Sequence, residues 1–185
     1  MDQAPETPAD GKGKASRKPS SFKNELIRFI VIMILAILLC NDVFAFHVIP
    51  SESMEPTIRT KSFALCWRLP CMLGTYEPQY GDIVSFRSTE KKRILIKRVV
   101  GLPGDTIEFE DGYVIRNGTQ IEEPYLMQQG VTTYTHDACT YIVTGNSVFV
   151  LGDNREHSAD SRSLMNPYVS YDDLYSKMLF SIPLP

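Results

Sequence analysis

A run of apolar residues near the start, LIRFIVIMILAILLCNDVFAF, divides the chain into unequal parts. From Leu26 to Phe46 it holds 21 residues, which as a helix would span roughly 31 Å, about one hydrocarbon thickness. Residues 1–21 before it, MDQAPETPADGKGKASRKPSS, carry almost nothing that could be buried, a composition that predicts a disordered tail. Residues 22–46 then form a transmembrane anchor, and residues 47–185 a single exported domain. Lys12, Lys14, Arg17, Lys18, Lys23 and Arg28 outnumber the positive charges just after the span. The positive-inside rule therefore puts the N-terminus in the cytoplasm. A second reading competes: the uninterrupted core Phe29–Cys40 is only 12 residues, which suits a removed secretory leader, with a cleavage site near Val43-Phe44-Ala45. Both readings export the rest.

From Ile49 onward no long stretch has a helical apolar period. Short alternating or β-branched runs, SFALCW, DIVSF, ILIKRVV, TIEF, YVIR, YIVT and SVFVLG, are separated by turn signals. Asp111-Gly112 and Asn117-Gly118 favour type I′ turns and predict a three-stranded meander over residues 105–122. The fold class is mainly β, in antiparallel sheets closed or folded on themselves. The last segment, DDLYSKMLFSIPLP, reads as a short helical turn with an apolar end.

A formal net charge of −3 argues against a nucleic-acid partner. Four cysteines are too few for a disulfide scaffold. Cys66 and Cys71 bracket WRLP and could close a small loop, which leaves Cys139 over. No His or Cys pair has zinc-ligand spacing, so neither metal nor cofactor is expected.

HVIPSESMEPTI carries two serines, Ser51 and Ser53, directly after the apolar run. A nucleophilic serine needs a base, and the chain has three histidines. His47 is too close in sequence and His136 sits in a polar stretch. A triad of Ser53, His157 and Asp160 has no support beyond its residue types. Lys97, in ILIKRVVGLPGD, is the other candidate. On a strand it shares a face with Leu95 and Val99, opposite Ile96. An apolar face would desolvate the amine and lower its pKa. The competing reading is a surface lysine beside Arg98.

Taken together and in order, IPSESMEPT, YGDIVSF, IKRVVGLPGD and GDNREHSADSR resemble the bacterial type I signal peptidases, over essentially residues 26–162. The resemblance implies the β fold of signal peptidases and self-cleaving repressors, behind one membrane span. It implies Ser53 as acylating nucleophile and Lys97 as general base. Ser51 would complete an oxyanion hole with the Ser53 backbone N–H, and Ser158 would hydrogen-bond and orient the lysine. Asp160 and Arg162 would form a supporting ion pair. Ile49, Pro50, Met54, Ile58, Leu95 and Ile96 would line a shallow pocket for small residues, with Ser85 modifying it. The implied partners are signal peptides of exported preproteins, cut in an Ala-x-Ala pattern, and the lipid bilayer, at the outer face of a bacterial plasma membrane.

Departures from the pattern are SLMNPYVSYDDL after Asp-Ser-Arg, His157 beside Ser158, Ser85 in place of valine, and a short domain without a large β insertion. Three other readings compete. A signal-peptidase-like pilus assembly factor would have lost the dyad, and a self-cleaving repressor would carry a DNA-binding module. The endoplasmic-reticulum enzyme would have histidine where Lys97 stands.

Overall fold

A computed structural model of the chain describes residues 22–133 and 140–184. The expected tail, residues 1–21, and His136 and Cys139 lie outside the described residues.

The described residues open with a helix, α1 (Phe22–Val43), followed by β1 (Phe44–Val48), β2 (Ser62–Trp67), a short helix α2 (Leu69–Met72), β3 (Ile83–Ser88) and β4 (Arg93–Gly101). Then come β5 (Thr106–Glu110), β6 (Tyr113–Arg116), β7 (Thr119–Gln120), β8 (Thr140–Ile142), β9 (Ser147–Leu151), β10 (Tyr168–Ser170) and β11 (Leu174–Pro183). The compact units of the chain meet within α1, one ending at Leu38 and the other starting at Leu39.

Apolar side chains of α1 from Leu26 to Ile37 are exposed. Among the described residues no helix is long and apolar enough to cross a membrane; the side chains at 38, 39 and 41 fall outside the description. Helix ends at Val43, so the last three residues of the expected anchor, Phe44 to Phe46, are strand instead.

The β domain has two antiparallel sheets, as expected. One has seven strands in the order β1-β2-β11-β3-β4-β9-β10, the other four in the order β7-β6-β5-β8. The meander forms where the turn dipeptides predict it. Asp111 and Gly112 (φ 49° and 83°) and Asn117 and Gly118 (φ 53° and 76°) all have the positive φ that type I′ turns require. A side chain at Gly112 would also meet the Gly130 carbonyl at 2.1 Å.

The C-terminal segment departs from expectation. A 3₁₀ turn at Tyr171–Asp173 leads into the ten-residue β11, which lies between β2 and β3. Its bulges after Leu174 and Met178 break the alternation that would reveal a strand. Nor do Cys66 and Cys71 close a loop. Both are free, Cys66 buried in β2 and Cys71 half-buried on α2.

The part of the core that supports the site contains Ala45, Ile49, Met54, Ile58, Ala64, Cys66 and Ile83. It anchors the loop between β1 and β2. Ile49 N–H donates to the Ser62 carbonyl (2.9 Å), and Lys61 N–H to the Ile49 carbonyl (2.8 Å). The loop is thereby closed at its base and pinned from within by Met54 and Ile58.

Candidate active site

Ser53 sits on this pinned loop, immediately before buried Met54, and is itself 9% exposed. Its carbonyl accepts from Asn154 N–H at 3.1 Å, tying the loop to the chain that follows β9. Opposite it, β4 delivers Lys97. Burial alternates along that strand, with Leu95, Lys97 and Val99 buried and Ile96 and Arg98 less so, which is the predicted facing. Lys97 Nζ lies 2.8 Å from Ser53 Oγ and 2.8 Å from the Ile96 carbonyl. The lysine is 2% exposed, and burial lowers its pKa to about 8, with Asp160 pulling it back up and Arg93 pushing it down. At that value roughly one amine in ten is neutral at pH 7, against one in a few thousand for a free lysine. A neutral amine at hydrogen-bond distance from a serine hydroxyl can take its proton.

The other expected residues divide into those brought to this pair and those that are not. Ser51 Oγ lies 3.5 Å from Ser53 Oγ, and its side chain is exposed. A cleft of about 270 Å³ beside the pair is lined by Ile49, Pro50, Ser51, Met54, Leu95 and Ile96, and also by His47 and Arg93. Ile58 and Ser85 do not line it. Ile58 is fully buried behind Met54, and Ser85 points into the sheet, where its hydroxyl is 2.6 Å from that of Ser176 on β11.

Ser158 is near, but it makes no hydrogen bond to Lys97: its hydroxyl is buried without a partner among the described residues. It packs so tightly on Gly152 that a Cβ there would collide with Ser158 Oγ and with the Ser53 carbonyl. Asp160 and Arg162 form the expected pair, with Arg162 Nε and Nη2 donating to the two carboxylate oxygens at 2.9 and 3.0 Å. Asp160 also accepts from Gly152 N–H at 2.9 Å, so this pair fixes the strand end beside the site.

Two further ion pairs hold the site and were given no role from sequence. Arg98 donates to both oxygens of Asp153, at 2.8 and 2.6 Å, and lies over the Tyr125 ring. Arg155 donates to both oxygens of buried Glu123, to Thr132 Oγ1 and to the Gly152 carbonyl. Arg98, Asp153 and Arg155 all stand inside the motifs IKRVVGLPGD and GDNREHSADSR. The signal was present for both members of the first pair and for Arg155 of the second, while Glu123 and Tyr125 carried none.

The family model described as "Signal peptidase, peptidase S26" matches residues 23–182. The chain belongs to the signal peptidase family. Among curated relatives it is similar to signal peptidase I P of Bacillus subtilis subsp. natto, 31% identical over 87% of this chain and 89% of the relative. It is also similar to signal peptidase I V of Bacillus subtilis (strain 168), 37% identical over 72% of this chain and 83% of the relative. A solved signal peptidase I from Enterococcus faecalis V583 is 31% identical, covering 56% of this chain and 98% of that one, with a TM-score of 0.48. Membership of the signal peptidase family makes this chain a serine peptidase, a hydrolase of peptide bonds.

Proposed function

We propose that this chain is a membrane-anchored signal peptidase that cuts N-terminal signal peptides from exported preproteins after small residues, with Ser53 as nucleophile and Lys97 as general base. The observation that carries this reading is the 2.8 Å approach of a buried, pKa-lowered lysine to a serine hydroxyl. In this mechanism neutral Lys97 takes the Ser53 proton as Oγ attacks the scissile carbonyl. Ser51 Oγ and the Ser53 N–H donate to the developing oxyanion, where charge stabilisation counts most. The lysine returns the proton to the departing amine, leaving an ester on Ser53. It then deprotonates the water that hydrolyses that ester. A non-catalytic pilus assembly factor would need this pair broken, and nothing in the geometry favours that.

The apolar lining also supports the preference for small residues. Ile49, Pro50, Met54, Leu95 and Ile96 leave a shallow cleft, and forcing bulk into it would cost about 1–3 kcal/mol or more in overpacking. An extended substrate has an edge to pair with, because β4 meets β9 only from Arg98 onward, which leaves residues 93–97 without a strand partner on that side among the described residues.

Support for a lipid partner comes from two apolar surfaces. The side chains of α1 are exposed over much of its length, many of them apolar. On the β domain, Phe46, Val48, Trp67, Phe180 and Ile182 form an exposed face of β1, β2 and β11, although the opposite face of these strands already packs in the core. A sheet that is apolar on both faces suits a bilayer interface. The positive charges before α1 favour a cytoplasmic N-terminus and an extracytoplasmic catalytic domain.

The test is co-expression with a secreted precursor. Ser53→Ala and Lys97→Ala should each leave it unprocessed, and equal processing by all three chains would sink the reading.

A further inference from the structure

The cleft beside Ser53 and Lys97 continues along β4 to the first residue of that strand, Arg93. The alternation that buries Leu95 and Lys97 puts Arg93 on the same face, exposed at the outer end of the cleft. Among the described residues its guanidinium makes no hydrogen bond or ion pair; Lys92 beside it makes none either but does not line the cleft, and the other nearby cations are engaged. Lys91 pairs with Glu90 at 2.9 Å, and Arg98 is clamped by Asp153. An unpaired cation lining a substrate cleft is available to the substrate. Its repulsion of Lys97 is consistent with both facing one space.

We propose that Arg93 is a specificity-determining residue, which reads a carboxylate side chain on the precursor about four or five residues before the cut. This rests on the reading of Ser53 and Lys97 as the catalytic pair. The small residues recognised before the cut occupy the apolar stretch at Leu95 and Ile96, which lies between Ser53 and Arg93. The upstream part of the substrate therefore runs toward Arg93. Arg93 is four residues from Lys97 on the strand, and an extended substrate advances at the same rate, roughly 3.3 Å per residue. A guanidinium fits the two oxygens of an aspartate or glutamate in a fork and repels lysine or arginine at the same place. Charge would thus be read at a position that the small-residue pocket never touches.

The test uses the full-length chain in detergent and fluorogenic Ala-x-Ala peptides carrying Asp, Ala or Lys at the fourth and fifth positions before the cut. Wild type should favour the Asp over the Lys peptide by about three- to tenfold in kcat/KM, mainly through KM, since the contact is solvent-exposed. Arg93→Ala should bring that ratio close to one, Arg93→Glu should invert it, and Lys92→Ala, next door but outside the cleft lining, should keep it. The proposal is overturned by a ratio of one in wild type or by a preference that survives Arg93→Ala. An equal loss in Lys92→Ala overturns it too, since that means diffuse hairpin charge. So does a wild-type ratio of one with Arg93→Ala weakening binding to anionic vesicles, which assigns the guanidinium to lipid. Binding of the same peptides to Ser53→Ala, followed by fluorescence anisotropy, should give the same ratios without cleavage. Charge-dependent binding without turnover in wild type would fault the catalytic reading and spare Arg93, whereas turnover without charge preference would do the reverse.

Discussion

Among the buried cations of this domain, Arg155 and Lys97 have opposite surroundings. Arg155 is 4% exposed and is forked onto Glu123, with Thr132 and the Gly152 carbonyl accepting from it as well. Lys97 is 2% exposed and has only a hydroxyl and a carbonyl oxygen beside it, with no carboxylate in ion-pair range among the described residues. Burial alone therefore does not make a base; burial without a counter-charge does. Asp160 is the carboxylate best able to spoil this, since its pull raises the lysine. Arg162 and the Gly152 N–H occupy both of its oxygens. Under the proposed mechanism the supporting ion pair would serve catalysis by keeping Asp160 engaged elsewhere.

The strongest test of that contrast is Lys97→Met, which removes the charge at similar volume. With Lys97 as the proposed general base, its loss should lower kcat/KM by about a thousandfold. Stability should move the other way. The folded pKa of about 8 lies below the ordinary lysine value of 10.5, so between them the unfolded chain binds more protons and stability rises with pH. Below pH 8 the lysine costs the fold about 3 kcal/mol, a cost that disappears by pH 10.5. Lys97→Met should thus be more stable than wild type at pH 7 in urea unfolding, with the gap closing as pH approaches 10.5. A variant less stable at pH 7, or a gap that ignores pH, would mean that Lys97 is paired in solution.

Arg155 should respond in the reverse manner. Glu123→Ala strands a buried guanidinium and should cost about 3–5 kcal/mol, seen as a large fall in Tm. Replacing the pair together, Arg155→Met with Glu123→Leu, should recover most of that loss and leave kcat within a few fold at temperatures where the chain is folded. Should Glu123→Ala instead abolish turnover with Tm unchanged, the two cations would not differ in kind.

What could be read from sequence follows how local each determinant is. The facing of Lys97 was legible because a strand alternates every residue, and the turns at Asp111-Gly112 and Asn117-Gly118 were legible because positive φ is a property of two residues. β11 was not. Its partners on β2 and β3 are about a hundred residues away in sequence, and two bulges disrupt its alternation. Ser85 was misread for the same reason, since the hydroxyl it faces belongs to Ser176 on that strand. The partner of Arg155 lies 32 residues off, in a loop with no periodicity to fix its register. The family motifs carried Ser53, Lys97, Asp160 and Arg162 because chain order and spacing were matched as a set.

Ser158→Ala should give the smallest effect, and it separates a resting contact from one made during turnover. Among the described residues the Ser158 hydroxyl is buried and unpaired, close against Gly152, where only a glycine leaves room for it. An orphaned buried hydroxyl costs about 1–3 kcal/mol to keep, so deleting it should not destabilise the chain by more than about 1 kcal/mol. The hydroxyl has a use if it turns to the amine once Ser53 Oγ has left Lys97 to attack the substrate. In that case Ser158→Ala should lower kcat by about tenfold with KM unchanged and shift the apparent pKa of the activity profile, and Ser158→Thr should restore part of both. Unchanged kcat and pH profile would leave Lys97 oriented by Ser53 and the Ile96 carbonyl alone, and the contrast with the fully tethered Arg155 would then be sharper still.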